Sequence, residues 1–323
     1  MPLHPRIKHL ITLANRVQRP SDEPLPVQRK SENLAASLFG RTVMRKGAPM
    51  TSITNRLVPV QGGQILVRLY RPTAGVLPLH LFIHGGGWCA GDVDGRDNRC
   101  QDLAADAGCL VASVDYRLAP ENQYPVPAED CYAALCWLVE HAEEFDVNSA
   151  AVSVGGESAG ANLSAVVALM ARDRKGPRLA FQMLEVPAVD LTMSQPSIDE
   201  LAEGYMLTKA NMIEYVRNYL PHPELVTDPY VSPLFASSHE GLPPAWIMTC
   251  EYDPLRDDGA AYAKALETAG VPVEYRMMPG HVHGSPALTR LIPEVRSYHR
   301  DAAAALRAAF RTAQTAAPAS AAN

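Results

Sequence analysis

Ser158 lies in a sequence pattern that can turn a serine hydroxyl into a nucleophile. The stretch VGGESAG fits G-x-S-x-G, with Gly156 and Gly160 on either side of the serine. A strand-like segment, AAVSV, precedes the pattern, and a helix-like segment, ANLSAVVALMARD, follows it. This order is typical of a sharp strand-to-helix turn that lifts the serine clear of a sheet and accepts only small neighbours. We therefore interpret Ser158 as a nucleophile; the alternative is a glycine-rich turn in an ordinary α/β domain.

A second pattern, FIHGGGWCAGD, can supply backbone hydrogen-bond donors. Its three glycines directly follow an apolar, strand-like segment. We expect the N–H groups of Gly85 and Gly86, together with that of Ala159 beside the serine, to bind the negative oxygen of a tetrahedral intermediate. A phosphate-binding loop is the alternative. However, the sequence has no GK[ST] and no G-x-G-x-x-G that opens a helix.

The hydroxyl of a serine needs a base to remove its proton, and the base needs an orienting acid. Asp253 directly follows the strand-like AWIMTCEY, whereas Asp257 and Asp258 fall on the next helix. We expect those two to favour the helix N-terminus and to meet solvent. The segment PGHVHGS, after the last predicted strand, offers His281 and His283 as the base. Serine, acid and histidine then follow in the order that α/β-hydrolases use.

Spacing alone leaves the choice between the two histidines open, because we place both in the loop after the last strand. A metal site is a further alternative for a His-x-His pair. It would need more ligands, and neither an H-E-x-x-H motif nor a CxxC pair supplies them. We therefore expect neither a metal nor a cofactor.

The composition favours a globular enzyme over a nucleic-acid-binding protein. The 323 residues are 47% hydrophobic and carry a net charge of −6, which gives no basic face for a phosphate backbone. The first residues lack the apolar core of a secretory signal, and no apolar run is long enough for a membrane span. A cytoplasmic location follows by default. The six cysteines show no CxxC pattern, and we expect reduced, mostly buried thiols.

Strand-like and helical segments alternate through most of the chain. RLVPVQGGQILVRLYRP predicts two strands around a Gly-Gly turn, and later apolar runs alternate with helical patterns. This alternation predicts a parallel sheet that is covered on both faces. We expect N-terminal cap helices in residues 1–50, because apolar residues recur at helical spacing over 7–17 and 34–43. We expect a catalytic domain over 51–312 and a disordered tail at 313–323. A helical cap insertion is expected at 190–225, where an amphipathic stripe is formed by Met212, Ile213, Val216, Tyr219 and Leu220.

In combination, these motifs resemble the hormone-sensitive-lipase-like family of α/β-hydrolases, which are mostly bacterial carboxylesterases. The resemblance rests on HGGGW, DYRLAPENQYPVPAED, GESAGANL, EYDPLRDDG and PGHVHGS, in the family order. It implies an α/β-hydrolase fold with a mostly parallel central sheet, flanking helices and a helical cap. Heroin-esterase-type acetyl ester hydrolases look most similar within the family.

The resemblance also assigns roles to single residues. It implies that Ser158 is the nucleophile and that Asp253 is the orienting acid. It also implies that the backbone N–H groups of Gly85, Gly86 and Ala159 form the oxyanion hole. The family loop usually reads P-G-x-x-H-G-F. Because Pro279 and Gly280 fix this frame, the base falls on His283, and His281 takes a position that is ordinarily apolar.

The sequence departs from the family at two positions near the nucleophile. Glu157 stands where aspartate is commoner, and Ser285 stands where a phenylalanine often lines the acyl pocket. We expect Ser285 and the bulky Trp88 to bind substrate. Arg117 and Glu121 are candidates for holding loops near the site, and we expect His84 to be a structural hydrogen-bonding residue.

The expected function is that of a serine carboxylesterase acting on a small-molecule ester with a short acyl group. An amidase or formamidase with the same triad is one alternative. A non-catalytic receptor built on this fold is another, although such a receptor would be expected to lose part of the triad. The sequence leaves the oligomeric state open, and a homodimer is one of the alternatives.

Overall fold

An 8-stranded sheet forms the centre of the protein. The structure, a computed structural model, describes residues 1–17, 29, 33, 40 and 42–316. The strands of the sheet are β1 (Ser52–Val60), β2 (Gly63–Arg71), β3 (Leu77–Ile83), β4 (Leu110–Asp115), β5 (Val147–Glu157), β6 (Phe181–Glu185), β7 (Ala245–Tyr252) and β8 (Val273–Val282).

The sheet order is β1-β2-β4-β3-β5-β6-β7-β8. The first two strands form the predicted hairpin, in which Val60 pairs with Gly63 and Gly62 adopts φ +82°. Strand β2 also pairs antiparallel with β4, and the pairs from β4 through β3 to β8 are parallel. The expectation of a mostly parallel sheet is confirmed.

Helices cover both faces of the sheet. They are α1 (Pro5–Val17), α2 (Asp97–Ala107), α3 (Val126–Glu140), α4 (Ala159–Asp173), α5 (Ser197–Glu200), α6 (Lys209–Tyr219), α7 (Arg256–Thr268) and α8 (Val295–Ala316). One core cluster packs α3, α4 and α7 on one face, and a second packs α1, α2 and α8 on the other. The strands are therefore buried on both sides, which explains why they appear in the sequence as apolar runs.

Helix α4, which follows Ser158, is buried along most of its length. Every residue from Ala159 to Ala171 is buried. A helix that is apolar on all sides belongs in a core, and its high content of alanine lets neighbouring elements approach closely. The rigid core therefore supports the start of this helix, where the serine sits.

The predicted cap insertion contains the short helix α5 and the longer helix α6. Thr208 caps α6, because its hydroxyl oxygen accepts the N–H of Asn211 at 3.0 Å. Met212 and Tyr219 are buried, as the amphipathic pattern indicates. Ile213 belongs to the same pattern but is 50% exposed, so the buried stripe is narrower than its apolar residues suggest.

The N-terminal segment packs against the end of the sheet. The Met1 amine contacts Glu251 at 2.6 Å, and the His4 N–H donates to the Gly280 carbonyl oxygen at 2.9 Å. Helix α1 lies where the helical spacing over residues 7–17 predicts one. The second predicted N-terminal helix, around residues 34–43, falls mostly outside the described residues.

Residues 313–316, which the sequence assigns to the disordered tail, are helical, so that part of the prediction is wrong. Helix α8 continues to Ala316. Its late turns are rich in alanine, the best helix former, and Ala305, Ala309 and Ala313 pack against the core at a spacing of one helical turn. Residues 317–323 of the predicted tail lie outside the described residues.

Three further expectations from the sequence bear on the described residues. None of the helices in residues 1–17 and 42–316 is both long and apolar enough to cross a bilayer. Five of the six cysteines are buried, and Cys136 is half-buried. Within the described residues, no group of three or more His, Cys, Asp or Glu side chains is arranged to hold a metal ion.

Candidate active site

Ser158 occupies a sharp turn between β5 and α4. Its backbone has φ 54° and ψ −122°, a conformation that non-glycine residues rarely adopt. Its N–H donates to the Glu185 carbonyl oxygen at 2.8 Å, which helps to hold the turn. A Cβ atom at Gly156 would lie 2.2 Å from the Ile83 carbonyl oxygen, and one at Gly160 would lie 2.0 Å from it. The glycines of the motif are thus required by close backbone packing.

The three side chains predicted to act together meet at the carboxyl ends of the strands. His283 Nε2 lies 2.9 Å from Ser158 Oγ, and His283 Nδ1 lies 2.8 Å from Asp253 Oδ2. The other oxygen of the fully buried Asp253 accepts the Leu255 N–H at 2.9 Å, which fixes the carboxylate. In the tautomer whose Nδ1–H donates to Asp253, Nε2 can accept the serine hydroxyl proton.

The surroundings of His283 raise its pKa above the usual value. Burial by itself lowers the pKa of the ring. The charge of Asp253 and the hydrogen bond to it outweigh burial, and the charge of Glu157 adds to the increase. A base of this kind is neutral, and able to accept a proton, only above its raised pKa.

We expect activity to be lost as the pH falls through a folded-state pKa of His283 that is above 6.5. Glu157→Gln removes a charge that raises this pKa and should shift the acidic limb of the kcat/KM profile to lower pH. The measurement is a pH–rate profile of both proteins. Glu129→Gln, which alters an ion pair with Arg174, is the control and should leave the limb in place. A limb that moves to higher pH in Glu157→Gln would contradict this assignment.

His281 lies within strand β8, so the prediction that both histidines belong to a loop is wrong for this one. Its ring is buried, and its Nδ1 lies 2.9 Å from Ser285 Oγ. Burial, followed by the charge of His4, lowers the pKa of His281 to about 4. The ring is therefore a neutral structural group.

The structure corrects the prediction that Ser285 binds substrate. Its side chain is fully buried, and its hydroxyl donates to the Val282 carbonyl oxygen at 2.8 Å while facing His281. A small polar side chain fits this position because the neighbouring histidine needs a hydrogen-bond partner. A phenylalanine, which the family pattern often has at this position, could not form that hydrogen bond.

A cleft of about 200 Å³ opens over Ser158. The described residues that line it are Gly85, Gly86, Gly87, Arg96, Glu157, Ser158, Glu185, Val186, Leu207, Tyr215, His283, Gly284, Pro286 and Ala287. The lining includes the charged side chains of Arg96, Glu157 and Glu185 as well as apolar and aromatic groups. The cleft is thus small and has a mixed lining.

Trp88 is not among the described residues that line this cleft, so its predicted role in binding substrate is also corrected. The side chain is 1% exposed. Its Nε1 donates to Asn162 Oδ1 at 3.2 Å, and its ring stacks on Tyr219 with centroids 4.7 Å apart. Trp88 therefore joins the glycine loop to helices α4 and α6.

Tyr215 and Leu207 line the cleft from the cap insertion, and the sequence did not single them out. A Cβ atom at Gly87, which has φ +58°, would lie 2.4 Å from the Tyr215 ring. The tyrosine thus lies directly against the glycine loop. The length of the insertion indicated a cap, but the sequence held no signal for which of its residues would face the cleft.

Two ion pairs stand beside the nucleophile. Arg96 bonds to Glu157, and Arg99 bonds to Glu185. Burial raises the pKa of both carboxyls. For Glu157, three interactions reverse this effect and hold the pKa low. They are the charge of Arg96, the hydrogen bond from Arg96 and the contribution of the Gly85 backbone N–H. For Glu185 burial prevails over Arg99, and the pKa is raised.

The backbone N–H of Gly85 helps to lower the pKa of Glu157, which bears on the predicted oxyanion donors. A donor that already serves a carboxylate is less available to a substrate oxygen. Gly85, Gly86 and Gly87 all line the cleft. The next N–H groups along the loop, together with that of Ala159 at the first position of α4, are the remaining candidates.

The loops around the site are tied by charged side chains. Arg117 contacts Asp130 at 2.6 Å and the Gln61 carbonyl oxygen at 3.0 Å. Glu121 accepts two hydrogen bonds from Arg29, at 2.9 and 3.0 Å. Both residues hold loops, as the sequence suggests.

His84 and Asp258 act in the interior. His84 Nδ1 lies 2.9 Å from the Gly85 carbonyl oxygen, in line with the expected structural role. Asp258 is 1% exposed and accepts the backbone N–H groups of Val189 and Asp190 at 2.9 and 3.0 Å. The expectation that Asp258 meets solvent is therefore wrong, because it anchors the start of the cap insertion.

Known proteins match this chain over most of its length. A family model described as an alpha/beta hydrolase fold matches residues 80–287. A carboxylic ester hydrolase of Mycobacterium tuberculosis is 44% identical over 239 residues, which cover 72% of this chain and 64% of that enzyme, just under two thirds of its length. An ethyl acetate hydrolase of Pseudomonas putida is 34% identical over 274 residues, which cover 83% of this chain and 84% of that enzyme.

A solved structure resembles the whole chain. The hyperthermophilic esterase from the archaeon Pyrobaculum calidifontis superposes with a TM-score of 0.90 at 37% sequence identity. The match covers 95% of this chain and 99% of that one. The likeness in fold therefore extends beyond the sheet and includes the cap insertion.

Proposed function

Because this chain belongs to the hormone-sensitive-lipase-like family of α/β-hydrolases, we propose that it cleaves esters through an acyl-enzyme formed on Ser158. The protein is a carboxylic ester hydrolase. The observation that carries the proposed mechanism is the unbroken chain of contacts from Ser158 Oγ through His283 to Asp253, at 2.9 and 2.8 Å. Hydrolysis of p-nitrophenyl acetate is the assay that separates this function from a non-catalytic receptor.

In the proposed acylation step, Ser158 Oγ attacks the ester carbonyl carbon while His283 Nε2 takes the hydroxyl proton. Asp253 holds the ring in the required tautomer and stabilises its charged form. The tetrahedral intermediate then collapses, the bond to the alcohol oxygen breaks, and His283 gives its proton to the departing alcohol. The acyl group remains on the serine as an ester.

The oxyanion of that intermediate requires backbone donors. Gly85, Gly86 and Ala159 are the donors that the sequence predicts. We now favour Gly86, Gly87 and Ala159, because the Gly85 backbone stabilises the charged form of Glu157. The Gly85 N–H then has an indirect role, in which it helps to keep the carboxylate next to the nucleophile charged. Preorganised donors of this type contribute about 3–4 kcal/mol each to transition-state stabilisation.

We propose a preference for short acyl groups, from acetyl to about hexanoyl. A cleft of about 200 Å³ is below the range of about 300–1,000 Å³ that is usual for larger ligands. Values of kcat/KM for p-nitrophenyl esters should fall about tenfold or more between the butyryl and palmitoyl chains. Tyr215→Ala, which enlarges the cleft on the side of the cap insertion, should reduce this difference in kcat/KM between butyryl and palmitoyl esters. A higher value for palmitoyl than for butyryl esters in the unaltered protein would rule out the preference.

The assignment to heroin-esterase-type enzymes, the cytoplasmic location and the homodimer stay predictions from the sequence. Size-exclusion chromatography with light scattering measures the oligomeric state directly. The ester-cleaving function of a single chain depends on none of them, because the proposed catalytic residues all come from one chain.

A further inference from the structure

A second cavity lies next to the cleft and shares part of its lining. Its volume is about 80 Å³, and it is enclosed by α2, the segment before β1, the turn after His283 and the start of α8. The cleft and this cavity, hereafter the polar cavity, share one wall. The residues of the shared wall are Arg96, Glu157, Glu185, Pro286 and Ala287.

Two residues that line the polar cavity each carry a buried polar atom without a protein partner. In the described part of the chain, Arg99 Nε and His299 Nε2 make no hydrogen bond. Arg99 is 7% exposed and His299 is 8% exposed, and both line the cavity. An unpaired buried polar group is costly, and ordered water is the usual partner for such groups.

The charges around the polar cavity favour water over an ion. Arg45, Arg96 and Arg99 are balanced by carboxylates on the same lining, namely Asp102, Glu157 and Glu185. Burial also lowers the pKa of His299 well below its usual value, so its ring is neutral. A water occupies about 30 Å³ in the liquid, so the cavity has room for two or three.

We propose that the polar cavity is a water reservoir that supplies the hydrolytic water to the acyl-enzyme, a proposal that rests on the proposed function. An acyl group on Ser158 would fill much of the small cleft and obstruct entry from its mouth. Pro286 and Ala287 line both the cleft and the polar cavity, and they follow His283 closely in the chain. Water from there can approach the base without passing the acyl group.

The step is the reverse of acylation with water in place of the alcohol. His283 Nε2 takes a proton from the water while its oxygen bonds to the acyl carbon, and the carbonyl electron pair moves to the oxyanion. The intermediate collapses, the bond from the acyl carbon to Ser158 Oγ breaks, and His283 returns the proton to Oγ. A carboxylic acid leaves, and the free serine is restored.

The test measures how one acyl-enzyme partitions between water and an added alcohol. The enzyme hydrolyses p-nitrophenyl butyrate in buffer that contains methanol, and the ratio of methyl butyrate to butyrate is measured by gas chromatography. His299→Phe removes the ring nitrogens from the cavity, and Thr289→Val removes a lining hydroxyl at nearly constant volume. Both should raise the ratio by roughly threefold or more, the scale of one lost hydrogen bond.

His239→Phe is the matched control. His239 is also 8% exposed, but it is not among the described residues that line the cavity. The control should keep the ratio of the unaltered enzyme. If His299→Phe does not fold, as judged by circular dichroism, Thr289→Val alone decides.

An unchanged ratio in a folded, active cavity variant would overturn the reservoir. An equal rise in His239→Phe would also overturn it, because the effect would then not be specific to the cavity. Failure of the proposed function gives a different result. In that case the unaltered protein would release no p-nitrophenol, or Ser158→Ala would release it as fast.

Discussion

Ser158→Ala should lower kcat for p-nitrophenyl butyrate by about 10⁴–10⁶ while leaving the fold intact. The change removes only the hydroxyl group, and a methyl side chain fits the turn at least as easily as a hydroxymethyl group. Circular dichroism and the melting temperature should match those of the unaltered protein. The residual rate reflects what the donors of the oxyanion hole and binding contribute without a nucleophile.

A variant that keeps a tenth of the original rate would end the serine mechanism. Ser153→Ala is a suitable control, because this serine lies on β5, the strand that leads to Ser158, and is fully buried against His80. Its loss should affect stability rather than kcat. The comparison separates the effect on kcat of losing the nucleophile from the effect on stability of losing a nearby serine hydroxyl.

The two histidines near the end of β8 should respond in opposite ways to substitution by alanine. His283→Ala removes the base and should cost about as much in kcat as Ser158→Ala, because members of a triad act as a unit. His281→Ala should keep most of the activity but lower stability by about 1–3 kcal/mol, since Ser285 loses a buried partner. Rates and chemical denaturation of both variants are the measurements.

Asp253→Asn extends the same test to the third residue. The amide cannot accept the Nδ1–H in the way a carboxylate does, and kcat should fall by about 10⁴. If His281→Ala is inactive and His283→Ala is active, the assignment of the base is wrong by two residues. The class of enzyme would be unaffected by that result.

Ser158 and Asp253 were predictable from the sequence because short-range rules place both of them, whereas His283 was chosen over His281 by the loop pattern of the family that the sequence resembles. The close approach of Ile83 forces glycine at positions 156 and 160, so the steric requirement is written as a local motif. The acid and the base each follow a strand that is recognisable as an apolar run. Parallel strands bring their carboxyl ends to one edge, so residues distant in sequence converge there.

The lining of the cleft was not predictable, because it depends on which way side chains point after packing. Trp88 and Ser285 were assigned to substrate from their positions beside the motifs, yet both turn into the interior. The pairing of Arg99 with Glu185 joins residues 86 positions apart and follows from no local pattern. The extent of α8 was underestimated because small residues such as those in its last turns are also typical of disordered tails. Only the packing of these residues against the core distinguishes a helix from a tail.

Covalent trapping of the nucleophile tests the central claim most directly. An alkyl p-nitrophenyl phosphonate reacts with an activated serine and leaves a stable phosphonyl ester that intact-mass and peptide mass spectrometry can locate. We expect one phosphonyl group per chain, on the peptide that contains Ser158, and none on Ser158→Ala. Labelling in His283→Ala should be greatly slowed, whereas His281→Ala should label like the unaltered protein. A phosphonyl group on any other residue, or equal labelling of Ser158→Ala, would contradict the assignment of Ser158 as the nucleophile.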